Sequence, residues 1–145
     1  MTDLVLEQLP DVSSFEEHAG AFLGAREAEN NLPLGLITGI KGGRTFGPLP
    51  PYFAVVRRAG AVVAAAMRTP PHNLILTDGS DPDALPLIVE DAHRAMPDTP
   101  GLSGPRTLAS RAVDLWCERT GAKARSGSAR RARATTPRPP RPTST

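Results

Sequence analysis

The sequence predicts one α/β domain, residues 2–121, with a mixed, largely antiparallel sheet flanked by helices. Three observations predict it. Short β-favouring runs alternate with segments whose apolar residues recur every three or four positions. Glycine and proline, 13 and 16 in number, separate these segments in the manner of turns. A chain of 145 residues, 39% of them hydrophobic, is long enough to bury one core but not two enzyme domains.

A strand and two helices come first. Residues 4–6 form a short β-favouring run, and Ser13 and Glu16 have the spacing of a capping box at the start of a helix. One face of this helix collects the apolar side chains Phe15, Ala19, Phe22 and Leu23. A second helix is expected to open at Asn30, with Pro33 in its first turn, where the missing N–H has no intrahelical partner. Its apolar residues stand four positions apart: Leu32, Leu36 and Ile40.

A loop and three strands follow. Residues 41–51 are rich in glycine and proline and therefore predict a loop. Residues 52–57 and Ala61–Arg68 are β-favouring runs separated by a short segment with Gly60, which predicts an antiparallel hairpin. Leu74–Leu76 lies between a Pro-Pro pair and an Asp-Gly pair, and its length and apolar character predict a short buried strand.

Two helices around a minimal strand complete the predicted domain. Asp81 and Pro82 have the N-cap and first helical positions, and the helix carries the apolar stripe Leu85, Ile88, Val89, Ala92 and Met96. Residues 101–103 predict a minimal strand, and Pro105 opens a last helix that Gly121 ends. The apolar face of that helix contains Leu108, Ala112, Leu115 and Trp116. No clear final strand follows it.

Charge is divided unequally along the chain. Residues 1–121 carry 10 Lys and Arg against 15 Asp and Glu, which gives a net charge of −5. The tail, residues 122–145, carries 7 Lys and Arg and no Asp or Glu, which gives a net charge of +7. The tail lacks large apolar side chains, and we expect it to be disordered because it cannot offset its ordering entropy. Its composition is typical of a basic Pro/Arg-rich tail and equally of a shifted reading frame in a GC-rich gene. Both interpretations stay open.

Cys117 is the only cysteine, which excludes an intramolecular disulfide and a cysteine-based zinc cluster within one chain. No apolar run approaches the roughly 18 residues that a spanning helix needs, and the first residues do not have the pattern of a signal peptide. The sequence therefore predicts a cytoplasmic protein that does not engage a membrane.

The element order resembles that of the GCN5-related N-acetyltransferase (GNAT) family, in which two further strands follow the last helix. The segments AREAENNL (25–32), PYFAVV (51–56), AAAMRTPPHN (64–73) and GLSGP (101–105) are similar to the amino-terminal half of two-part bacterial acetyltransferases of that family. The resemblance covers about residues 4–121. It implies a GNAT-like sheet, acyl transfer from acetyl-CoA to an amine in the whole enzyme, and a separate, more regular domain that binds the cofactor.

The resemblance also indicates where acetyl-CoA would bind. The family places Gln/Arg-x-x-Gly-x-Gly/Ala between the fourth strand and the next helix, where backbone N–H groups cradle the pyrophosphate. Residues 77–82 instead read Thr-Asp-Gly-Ser-Asp-Pro. Asp78 and Asp81 would repel a pyrophosphate, and Pro82 removes an N–H donor. We therefore expect poor acetyl-CoA binding by this chain.

These observations predict the non-catalytic amino-terminal half of an acetyl-CoA-dependent acetyltransferase, either truncated or working beside a separate catalytic domain. An alternative is an active single-domain N-acetyltransferase with a divergent pyrophosphate loop. A second alternative is a nucleic-acid-associated module that uses the arginines of its tail (Arg130, Arg131, Arg133, Arg138 and Arg141). Such binding is expected to be weak and non-specific because no aromatic residue is interleaved for base stacking.

Arg68, His72 and Asn73 form the best polar cluster for substrate binding, and a histidine there could act as a general base near neutral pH. The favoured alternative is a loop rim stiffened by two prolines. Four further polar residues, Glu27, Glu29, Asn30 and Asn31, could line a substrate cleft, although a solvated helix entry explains them more simply. Residues 39–44 resemble a phosphate loop but lack its Gly-Lys-Ser/Thr end and follow a helix. No two histidines have metal-ligand spacing, so no metal site is predicted.

Overall fold

Residues 3–121 are described by the computed structural model, and they form one five-stranded sheet with four helices. The strands are β1 (Leu4–Leu9), β2 (Tyr52–Arg58), β3 (Ala61–Arg68), β4 (Leu74–Leu76) and β5 (Leu102–Ser103). The helices are α1 (Val12–Gly24), α2 (Asn31–Lys41), α3 (Leu85–Ala95) and α4 (Arg106–Thr120), with a 3₁₀ turn at Pro82–Ala84 before α3. The predicted element order is confirmed. Residues 122–145, for which the sequence predicts a disordered tail, lie outside the described residues.

Sheet order follows the chain, β1-β2-β3-β4-β5, with antiparallel pairing from β1 to β4. The last pair is parallel, because Leu74 pairs with Leu102 and Ile75 with Ser103. Parallel neighbours need a crossover connection, and α3 supplies it. The carboxyl ends of β4 and β5 therefore meet at one edge of the sheet.

Helices cover both faces of the sheet. Because side chains alternate along a strand, β2 sends Ala54 and Val56 into a core shared with α3 and α4, and Phe53 and Val55 into a second core under α1 and α2. In the second core Phe53 stacks on Phe15, with ring centroids 5.0 Å apart. Burial on both faces explains why the central strands consist largely of consecutive apolar residues.

The first turn of α1 corrects the predicted capping box at Ser13 and Glu16. The N-cap is Asp11, whose side-chain carboxylate accepts a hydrogen bond from the Ser14 backbone N–H at 2.8 Å. Asp11 gives the helix an oxygen acceptor two residues earlier than expected, and an aspartate is as good a cap as serine. The predicted face is otherwise observed, because Phe15, Ala19 and Leu23 are buried.

The buried face of α2 differs from the predicted stripe. Pro33 and Ile37 are buried, Leu36 and Ile40 are half-buried, and Leu32 is 57% exposed. Leu36 and Ile40 pack against the second core from the edge of the buried face. The face that packs against α1 and the sheet is centred one position away, on Ile37.

The helix predicted from Asp81 and Pro82 is observed with one added detail. Asp81 caps the 3₁₀ turn, accepting a hydrogen bond from the Asp83 N–H at 2.9 Å, and α3 continues from that turn. Four members of the predicted stripe are confirmed as buried, Leu85, Ile88, Val89 and Ala92, whereas Met96 is half-buried and lies just past the helix as its C-cap. Gly121 ends α4 in a left-handed conformation (φ 77°), as expected for a helix C-terminus.

Candidate functional site

The loop between β4 and α3, residues 77–81, is the position at which the family resemblance would place the cofactor pyrophosphate. Four of its backbone N–H groups already donate within the protein: Thr77 to the Ala65 carbonyl (3.2 Å), Asp78 to Asn30 Oδ1 (2.8 Å), Ser80 to the Thr77 carbonyl (3.3 Å) and Asp81 to the Val63 carbonyl (2.8 Å). A phosphate cradle needs such donors pointing outward. These four groups therefore cannot receive a phosphate without breaking internal hydrogen bonds.

The two carboxylates of this loop form ion pairs with arginines. Asp78 forms an ion pair with Arg26 at 3.3 Å, and Asp81 forms one with Arg58 at 2.8 Å. The hydrogen bond from the Asp83 N–H, followed by the one from Arg58, holds the pKa of Asp81 below its usual range. Asp81 is consequently ionised throughout the neutral pH range.

Asn30 fixes the shape of the same loop. Its side chain is buried, donating to the Leu23 carbonyl at 3.3 Å and to the Asp78 carbonyl at 3.2 Å, while its Oδ1 accepts from the Asp78 N–H. The residue stands at the N-cap of α2 as expected but makes no side-chain capping bond there. Asn30 thus joins the α1–α2 connection to the loop after β4.

A cleft of about 380 Å³ opens beside this loop, where β4 and β5 end. Its polar wall contains the Glu29 and Asp78 carboxylates and the Ser103 hydroxyl, and its apolar wall includes Leu32 and Pro33. The lining therefore favours a cationic ligand over an anionic one.

Gly104 lies directly after β5 and packs against the end of β4. A Cβ at this position would stand 2.4 Å from the Leu76 carbonyl oxygen, and the φ of Gly104 is +145°. The backbone after β5 is therefore pressed against β4. This contact requires glycine, both for the close approach and for the backbone conformation.

Arg68, from the predicted polar cluster, is buried and positions a loop. Its side chain is 3% exposed, and its Nε donates to the His72 carbonyl at 2.6 Å. Its Nη1 lies 3.3 Å from Met96 Sδ and 3.7 Å from Asp98 Oδ1. Burial lowers the pKa of Arg68, while the Asp98 carboxylate opposes that shift. The guanidinium holds the turn after β3 against the C-terminal end of α3.

His72 and Asn73 have different surroundings. The His72 side chain is exposed and lies edge-on to Phe46, with ring centroids 6.3 Å apart. Asn73 is buried and its Nδ2 donates to Ser103 Oγ at 3.0 Å, which ties the start of β4 to β5. The predicted substrate-binding residues Arg68, His72 and Asn73 thus lie close together in the chain around the turn after β3, and Arg68 bonds to the backbone of His72. Among residues 3–121, the structure also contains no group of three His, Cys, Asp or Glu able to hold a metal ion.

Tyr52 and Asp91 form a buried polar pair that the sequence did not indicate. The Tyr52 hydroxyl donates a hydrogen bond to Asp91 Oδ2 at 2.5 Å. Arg94 Nη2 donates a second one to Asp91 Oδ1 at 3.2 Å. Burial first, and then the hydrogen bond to the Asp91 carboxylate, raise the pKa of Tyr52 far above its ordinary value. The two residues are 39 positions apart, so no local pattern could have found them.

This pair predicts a distinct alkaline transition. A raised folded-state pKa means that the stabilisation is complete below the unfolded pKa of about 10 and decreases as the pH rises above it. Tyr52 is the only tyrosine, so the tyrosinate absorbance band reports it alone. We expect no tyrosinate signal near pH 10 while the circular dichroism is native, and its appearance together with unfolding at higher pH. Ionisation near pH 10 in a folded chain would contradict this.

No helix in the described part of the chain is long and apolar enough to cross a membrane. Comparisons of the chain with models of protein families, with curated proteins and with solved structures found no match. The likeness to N-acetyltransferases therefore stands on the residues and the order of the elements.

Proposed function

We propose that this chain is a GNAT-like domain that serves as the non-catalytic, amino-terminal half of an acetyl-CoA-dependent acetyltransferase. The architecture supports the family part of the proposal. Two helices separate the first strand from an antiparallel β2-β3-β4 unit, and a helical crossover leads to a parallel fifth strand. This is the order that the resemblance implies for residues 4–121.

The proposal that the domain is non-catalytic rests on the loop of residues 77–81. Four of its N–H groups donate to Asn30, Ala65, Val63 and Thr77, and two aspartates, each paired with an arginine, belong to it. A pyrophosphate arriving there would lose water, meet like charge and find the donors engaged. These costs oppose cofactor binding in this domain, so the acetyl donor would be held by a separate catalytic domain.

Acyl transfer by direct attack needs an oriented amine and a base close to it. Of the predicted cluster, Arg68 is engaged with a backbone carbonyl, Asn73 with Ser103, and His72 lies on the surface against Phe46. This supports a role in which the domain assists a catalytic partner instead of performing the reaction.

Calorimetric titration of the full chain with acetyl-CoA tests the proposal. We expect no binding tighter than about 1 mM, a level equivalent to about 4 kcal/mol. The double variant Asp78→Asn, Asp81→Asn is the informative companion, because it removes the negative charge and leaves the internal N–H bonds possible. It should bind no better than about 1 mM as well, since the donors remain engaged.

Two outcomes would contradict the proposal in different ways. Micromolar binding by the natural chain would favour the active single-domain enzyme with a divergent loop. Micromolar binding by the double variant alone would show that charge, and not the engaged N–H groups, prevents cofactor binding. A phosphate-free control, acetylated pantetheine, separates binding of the pyrophosphate from binding of the acyl arm in either case.

A further inference from the structure

A second cavity, of about 390 Å³, lies at the opposite end of the strands from the cleft beside β4 and β5. It opens to the surface and is lined by the α2–β2 loop (residues 42–51) and the turn after β3, in which the His72 N–H donates to the Thr69 carbonyl at 2.9 Å. Its volume lies within the range of small-molecule sites. The apolar lining consists mainly of Ile40, Phe46, Pro48, Leu49, Pro50 and Pro70.

Thr69 supplies a polar group inside this cavity. The residue is 2% exposed and lines the cavity wall. Within residues 3–121 its hydroxyl has no hydrogen-bond partner, although its backbone carbonyl accepts from His72. Buried hydroxyl groups are nearly always hydrogen-bonded, because an unpaired one loses its hydration without compensation. The Thr69 hydroxyl is therefore available to form a hydrogen bond with a molecule bound in the cavity.

Arg44 supplies the charge at the rim. Its guanidinium carbon lies 4.8 Å from the centroid of the Phe46 ring, and its stem folds over α2 at Gly39, where a Cβ would stand 3.3 Å from Arg44 Cδ. In the described part of the chain no carboxylate is within salt-bridge distance of Arg44, and no acidic residue lines the cavity. The cation is thus held in place by an aromatic ring and by helix packing without a partner of opposite charge.

We infer that this cavity binds a small organic carboxylate with an apolar, ring-sized body. The carboxylate would accept hydrogen bonds from the Arg44 guanidinium, the apolar body would pack between Phe46 and the proline-rich wall, and the Thr69 hydroxyl would donate to a second acceptor or to the carboxylate. An arginine fork matches carboxylate geometry, and the lack of acidic lining residues excludes cations. The inference does not depend on the proposed acetyltransferase role, since it uses neither the loop at residues 77–81 nor the cleft beside it.

The test is a ¹H–¹⁵N NMR titration of the full chain with phenylacetate, and with benzylamine as a probe of similar body and opposite charge. Phenylacetate should shift the amide resonances of Arg44, Phe46 and Thr69 and saturate with a dissociation constant of about 1 mM, as expected for a fragment-sized ligand. Benzylamine should leave them unchanged. Both probes report on the cavity directly and need no enzymatic activity.

Two variants assign the binding to these residues. Arg44→Gln should weaken phenylacetate binding by about tenfold or more, because it removes a charge-assisted hydrogen bond. Thr69→Val, which keeps the side-chain volume, should weaken it by about threefold to tenfold. Lys41→Gln is the matched control. Lys41 pairs with Glu16 at 2.6 Å and does not line the cavity, so its loss should leave the affinity unchanged.

The inference is overturned if phenylacetate produces no saturable shifts, if benzylamine binds as tightly, or if Lys41→Gln weakens binding as much as Arg44→Gln. Shifts confined to Glu29, Asp78 and Ser103 would also overturn it, because they would place binding in the other cleft. Arg44 is on the surface, so Arg44→Gln should fold even if Thr69→Val does not. Native β1 amide resonances in each variant establish that the chain is folded.

Discussion

Gly104→Ala is expected to lower the free energy of unfolding by about 3 kcal/mol or more, the sum of overpacking and backbone strain. A methyl group there would stand 2.4 Å from the Leu76 carbonyl oxygen and 3.1 Å from Leu76 Cβ, and the φ of +145° is one that alanine rarely adopts. Neither clash can be relieved by rotating a side chain, because the nearest atom is backbone. The β4–β5 pair would have to separate.

Urea denaturation measures this effect, with the midpoint falling and the slope unchanged. Gly35→Ala is the matched control because the chemical change is identical. Gly35 is in the interior of α2 and nothing lies within 4 Å of its added Cβ, so the variant should gain about 0.5–1 kcal/mol from reduced backbone entropy in the unfolded chain. Equal loss in both variants would refute the close contact at Gly104.

Asn30→Ala is expected to destabilise the chain by about 2–3 kcal/mol, because it leaves buried and half-buried backbone groups without partners. Asn30 is 1% exposed and bonds to the Leu23 carbonyl and to both the N–H and the carbonyl of Asp78. The exposed neighbour Asn31 provides the control, since Asn31→Ala should change stability by less than about 0.5 kcal/mol. Comparable losses at the two positions would contradict the role assigned to Asn30.

Asn30→Ala also distinguishes the two features of the loop that oppose cofactor binding, its engaged N–H groups and its two aspartates. The substitution releases the Asp78 N–H from its side-chain acceptor but leaves Asp78 and Asp81 charged. The variant should therefore still bind acetyl-CoA no tighter than about 1 mM. Hydrogen exchange at the Asp78 amide should accelerate in the same variant, which shows that the N–H has been released.

Local signals predicted most of the fold. The β2–β3 hairpin was predicted from β-favouring runs around Gly60, and α3 from Asp81, Pro82 and a 3.6-residue stripe, because these signals lie within one element. The family resemblance and the function stay predictions. At the start of α1, two residues offer an N-cap signal. Asp11 and Ser13 are both good caps, and only the path of the chain after β1 decides for Asp11.

The candidate sites could not be predicted because their partners are distant in sequence. Asn30 bonds to Asp78 across 48 positions, and Tyr52 bonds to Asp91 across 39. Arg68 is a substrate-binding candidate from the sequence, with a loop rim as the favoured alternative, and its burial and its bond to the His72 carbonyl depend on the packing of α3 against the turn after β3. The cavity under residues 42–51 arises only when that loop lies against Thr69 and Pro70.

The parallel β4–β5 pair has a consequence for the order in which the domain assembles. β2 and β3 are joined by two residues, so their pairing closes a very short loop, whereas β5 reaches β4 only after the 3₁₀ turn and α3 have crossed the sheet. Loop-closure entropy increases with length, and a two-residue strand offers few bonds to offset it. Docking of α3 must therefore accompany β5 pairing. We expect the hairpin to nucleate folding and the α3–β5–α4 segment to condense afterwards as one cooperative unit.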